Sequence, residues 1–129
     1  MAGRWGMWRR ERGISQIEFA RLVAEALEDL PPEIRERMEN VEVVIADWPT
    51  RVQLRRAGLG PGQMLFGLYE GVPLTQRTSG YNLVPPDKIT IFRGPILAAF
   101  RTPEEMRRQV RCTVLHEVGH HFGLDEEAL

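Results

Sequence analysis

The chain predicts an α+β domain, a small mixed β-sheet with a backing helix and a C-terminal metal-binding helix. Three observations carry that prediction. A strong helix start at Ser15 is followed by one apolar stripe of helical period. Three short runs rich in apolar and β-branched or aromatic residues come next, separated by glycine and proline. A second helical pattern, opening at Thr102, then carries His116-Glu117-Val118-Gly119-His120 to the edge of a glycine at position 123. Two histidines four apart lie one turn apart on the same helix face, so both imidazoles can aim at one ion.

The elements follow in order. Residues 1–13 contain Trp5, Trp8 and four arginines and read as a flexible basic arm. Ser15 and Glu18 form a capping box, and Ile14 and Phe19 staple around it. Phe19, Leu22, Val23, Ala26, Leu27 and Leu30 make the buried stripe of the backing helix, which Pro31-Pro32 ends. Glu33 to Met38 is a short second helix. Val41 to Asp47 is a continuous apolar, β-branched run, the pattern of a buried strand. Arg51 to Gly62, with Gly58, Gly60 and Pro61, reads as a solvated loop whose Arg51, Arg55 and Arg56 are free to meet an acidic partner. Leu65 to Glu70 is a second strand. Val72 to Asp87 is a long loop, of the kind that often forms a cleft wall, and Tyr81 in it is a candidate oxyanion donor. Lys88 to Phe92 is a third strand, broken by Gly94-Pro95, and Ile96 to Phe100 is a short helical connector.

The last helix has its own start and stop. Thr102-Pro103-Glu104-Glu105 is a capping box with proline in the first turn. Met106, Val110, Val114, Leu115, Val118 and Phe122 then recur at helical spacing over roughly five turns. Gly123 can take the left-handed turn that ends the helix. By chance H-E-x-x-H occurs in on the order of one in a few hundred chains of this length. Its chemistry is specific: His116 and His120 hold a zinc ion, and Glu117, beside the open coordination position, serves as general base toward water. Catalytic zinc usually takes a third protein ligand. Six residues past His120, beyond the glycine turn, stands Glu126, with Asp125 as the alternative. Cys112, one turn before His116, is either an extra soft ligand or a small buried hydrophobe. His121 points about 100° away from His120 around the helix, a supporting or surface position.

Composition narrows the field. A length of 129 residues fits one domain over 1–129, and 43% hydrophobic residues suffice for a core. The net charge of −1 does not favour nucleic acid, although the arm and the arginines of 51–56 keep that reading open. No run of 18 apolar residues would span a membrane, and no apolar segment follows the N-terminal arginines as in a secretory signal. One cysteine excludes an intrachain disulfide, and the expected compartment is the cytoplasm.

The motif Leu115-His116-Glu117-Val118-Gly119-His120-His121-Phe122-Gly123 resembles the core of the small bacterial zincin-like metallopeptidases, or minimal metalloproteases. Residues 30–33, 41–49, 67–74 and 89–95 are similar to other signature segments of that family, so the likeness covers nearly the whole chain. It implies a zincin-like fold, one zinc ion per chain and hydrolysis of a peptide or protein substrate. The family usually has aspartate where this chain has Glu126. In zincins the edge strand of the sheet lies over the cleft, where an extended peptide can add as a further strand. Lys88–Phe92 is the candidate for it here, with an interior strand as the alternative. The expected function is zinc-dependent peptide-bond hydrolysis. The second is a metal-binding module without turnover, acting through protein or nucleic acid.

Overall fold

The computed structural model describes residues 14–60, 62–71 and 87–123. In these, α1 (Gln16–Glu28), α2 (Pro32–Arg37), β1 (Val41–Ala46), α3 (Arg51–Arg56), β2 (Gly67–Glu70), β3 (Asp87–Phe92), α4 (Arg93–Ala99) and α5 (Pro103–His121) follow one another. The basic arm and the Val72–Pro86 stretch with Tyr81 lie outside the described residues, as do Asp125 and Glu126.

The capping chemistry read from the sequence is present atom for atom. At α1, the Glu18 N–H donates to Ser15 Oγ at 3.0 Å and the Ser15 N–H donates to Glu18 Oε1 at 3.0 Å. At α5, the Glu105 N–H donates to Thr102 Oγ1 and the Thr102 N–H to Glu105 Oε1, both at 3.1 Å. These backbone bonds from Thr102 and Arg101 hold the Glu105 carboxyl below its ordinary value of 4.5. Gly123 closes α5 at φ +66°, the left-handed conformation that glycine adopts without a Cβ clash.

The described sheet is three-stranded and mixed, in the order β1-β3-β2, with β1 parallel to β3 and β2 antiparallel to it. α1 and α5 pack against each other, and Phe19, Leu22, Val23 and Ala26 of α1 meet Met106, Val110, Val114 and Val118 of α5 in one core with Ile89 and Ile91. The two isoleucines lie on one face of the central strand, two residues apart, as a strand's period demands. The backing helix is thus as expected.

Three expectations are corrected. Lys88–Phe92 is not an edge strand: its residues sit at the centre, bonded on both sides, and among the described residues the edges are β1 and β2. The run from Val41 is half-buried rather than buried, with Ile45 38% exposed. An apolar parallel strand needs both faces covered to be buried, and at an edge it also has a side open. Arg51–Arg56 is a helix, not a loop. Thr50 and Gln53 make a third capping box, with bonds of 3.0 and 3.1 Å, and the following glycines end the helix instead of preventing it. Its Arg56 does meet an acid, pairing with Glu70 of β2, while Gln53 donates to the same carboxylate at 3.3 Å. No described helix is long and apolar enough to cross a membrane.

Candidate functional site

α5 has two faces. Met106, Val110, Val114 and Val118 are fully buried, while Cys112, His116 and His120 point outward on the other side. The imidazoles of His116 and His120 lie with ring centroids 4.4 Å apart and planes tilted by 52°. This is the one-turn pairing that the four-residue spacing predicts. Both are exposed, so their nitrogens are open to an ion from solvent.

Glu117 faces the sheet, and specifically its outer edge. The Phe92 N–H donates to the Phe66 carbonyl at 2.9 Å, just upstream of β2. In an antiparallel pair, inward and outward residues alternate. With Gly67 opposite Ile91 and Tyr69 opposite Ile89, the backbone groups of Gly67 and Tyr69 therefore point away from β3. The Tyr69 N–H does so onto Glu117, donating to Oε1 at 2.8 Å. The sequence-predicted base thus stands at the edge of β2, not of β3.

Between that edge and α5 runs a cleft of about 370 Å³, lined by Met64 to Gly67 on one side and by Gln109, Cys112, Thr113, His116 and Glu117 on the other. Strand and helix come this close because residue 67 is glycine: a Cβ there would stand 2.5 Å from Thr113 Cγ2 and 3.0 Å from the Thr90 carbonyl. Gln109 Nε2 donates to Thr113 Oγ1 at 2.9 Å, so those two polar groups satisfy each other within the wall.

Of the predicted site residues, the described structure sets His116 beside His120 and places Glu117 with His116 on the wall of one cleft. Among the described residues no group of three His, Cys, Asp or Glu side chains could hold a metal ion. Cys112 is exposed rather than buried, and it is not a ligand alongside both histidines. It lies two turns, about 12 Å along the axis, from His120. Two imidazoles one turn apart and open to solvent suit a divalent zinc-like ion; Glu126 and Asp125 lie outside the described residues.

Sequence reasoning missed Tyr69 and Asp87. The Tyr69 hydroxyl donates to Asp87 Oδ2 at 2.7 Å, and the Tyr69 ring stacks on His121 at 3.9 Å between centroids. His121 is thus not a bare surface residue, and its Nε2 lies 3.6 Å from the same Asp87 oxygen. The strand register brings positions 69 and 87 together and the packing of α5 on β2 adds position 121, and no local pattern encodes either.

The family model of the zincin-like metallopeptidases matches residues 38–129. The chain belongs to that family. The family match includes the three strands, α5 and the cleft, and leaves α1 and α2 outside. This zincin-like chain is also similar to a solved structure titled a conserved hypothetical protein from Thermo thermophilus. The TM-score is 0.51 at 19% identity, over 84% of this chain and 94% of that one, which shows a shared fold. A search of curated proteins found no match.

Proposed function

We propose that the protein is a zinc-dependent metallopeptidase that cleaves an extended peptide laid along the outer edge of β2. The observation that carries this reading is the placement of Glu117: its carboxylate faces the edge strand's outward backbone groups, one residue from His116 and three from His120. Family membership supports the same chemistry. His116, His120 and, past the glycine turn, Glu126 would hold the ion, with Asp125 as the alternative third ligand. When bound, zinc supplies Lewis acidity that makes water nucleophilic near neutral pH and polarises the scissile carbonyl.

The chain's own groups do the rest. The outward N–H and C=O of Gly67 and the outward C=O of Tyr69 align a peptide backbone as a further strand. The cleft beside Met64, Phe66 and Cys112 takes a side chain flanking the scissile bond. Glu117 accepts the proton of the attacking water and delivers it to the leaving amine.

A metal-binding module without turnover is the second reading, and the length of β2 favours it. Four residues offer few backbone contacts, and binding energy remote from the reacting bond helps drive catalysis. Metal analysis of the native protein, with peptide-library cleavage by wild type and Glu117→Gln, separates the two. The peptidase reading expects zinc in both proteins, cleavage by wild type, and a loss of roughly 10²–10⁴-fold in the variant. Zinc without any cleavage by wild type would establish the module. Activity of Glu117→Gln within about threefold of wild type would remove Glu117 as the base.

A further inference from the structure

We infer that Tyr69 is the positioning residue for Glu117, and that Asp87 and His121 clamp it in place. The inference rests on the reading of Glu117 as general base. Tyr69 does two things at once. Its backbone N–H donates to the Glu117 carboxylate at 2.8 Å. Its side chain is held by described residues of two other elements: Asp87, the first residue of β3, accepts from the phenol at 2.7 Å, and His121, the last residue of α5, lies stacked on the ring with the planes 19° apart. Phe122 meets the same ring edge-on at 6.2 Å. The Asp87 side chain is 13% exposed, so its hydrogen bond is sheltered from competing water.

The geometry explains why a clamp belongs at this position. A strand at the edge of a sheet is bonded on one side only, and β2 is four residues long. Its outward groups would drift relative to α5 unless something tied the strand to the helix. Gly67 and Thr113 fix the upstream end by close packing. At the downstream end the tie is the Tyr69 side chain, gripped by the start of β3 and the end of α5. A base must be held to within about half an ångström of productive geometry by partners that are themselves locked. Tyr69 is such a partner: its backbone makes the bond to Glu117, and its side chain ties that stretch of backbone to α5 as well as to β3.

There is a consequence for docking. The Tyr69 N–H is committed to Glu117, so an added peptide meets Gly67 as its donor on this edge, and the alignment of the substrate and of the base is set by the same strand.

Amide hydrogen exchange on the whole chain, with and without zinc, tests the clamp directly. In Asp87→Ala and in Tyr69→Phe the Tyr69 amide should exchange at least about tenfold faster, while the Leu68 and Glu70 amides, which face β3, hold their protection. Asp87→Asn, which still accepts from the phenol, should restore the wild-type rate. On a cleaved peptide, the first two variants should lose kcat with KM and zinc affinity held. An unchanged Tyr69 amide in both variants overturns the inference, and so does equal loss at Leu68 and Glu70, which would make the residues merely structural. Tyr69→Phe retains the ring and decides the matter should Asp87→Ala not fold. If the amides respond as expected but wild type cleaves nothing, the clamp stands and the peptidase reading falls.

Discussion

At the scale of single residues, the proposed zinc site would take its third donor from past the glycine turn. His116 and His120 supply two nitrogens, and two cannot complete a zinc site. Either histidine changed to alanine should therefore abolish stoichiometric zinc, giving the reference for weaker effects. Against that reference, Glu126→Ala should weaken zinc binding more than about tenfold and Asp125→Ala should leave it nearly unchanged, read by chelator competition. Glu126→Asp should hold zinc at least as well as wild type. The reverse order would make Asp125 the ligand. The pairing of His116 with His120 on one helix was legible in the sequence because a helix converts spacing into direction. The helix also made His121's departure from that face legible, but not its stacking on Tyr69. Tyr69 and Asp87 were not legible, because the pairing of β2 with β3 joins them and the packing of α5 on β2 brings His121 to them, and neither leaves a trace in one element alone.

At the scale of elements, short-range signals were read correctly wherever one signal dominated. Ser15 with Glu18 and Thr102 with Glu105 gave both long helices their starts. Thr50 with Gln53 carries the same signature, yet Gly58, Gly60 and Pro61 downstream outweighed it and the segment read as a loop. Turn residues a full helix away from a cap terminate that helix; they are not votes against it. The caps also make pH predictions. The Glu105 carboxyl is held below its ordinary value by the N–H groups of Thr102 and Arg101. Its contribution is present above the unfolded value and is lost as pH falls through the folded one. Thermal unfolding of Glu105→Gln should accordingly fall less steeply than wild type on acidification below about pH 4.5. Parallel slopes would show that the cap's charge contributes nothing. Packing between elements makes a further prediction at Gly67. Gly67→Ala places a methyl against Thr113 and the Thr90 carbonyl, and overpacking of this kind costs about 1–3 kcal/mol. Chemical denaturation measures it. Adding Thr113→Ser removes the nearer obstacle, Cγ2, and should recover part of the loss.

At the scale of the whole molecule, the mixed sheet and the helix behind it were legible, while the order of the strands was not. Three strands of similar apolar character can be arranged in several ways, and the parallel pairing of β1 with β3 puts the last strand in the middle. That order has an energetic meaning for a peptide bound along β2. The described sheet of three strands is small, and the backbone groups of Gly67 and Tyr69 point away from β3. A peptide added there would be bound by the native state and not by the unfolded chain, so occupancy would be linked to folding. At a hundred times its dissociation constant such a ligand adds about 2.7 kcal/mol. In Glu117→Gln, where a peptide persists, the unfolding midpoint should therefore climb with peptide concentration; a midpoint indifferent to saturating peptide would remove β2 as the docking edge. In the active enzyme each cleavage would divide that borrowed strand in two. The molecule would then be sturdiest while loaded and loosest in the moment after product leaves, so scarcity of substrate would shorten the life of the enzyme itself.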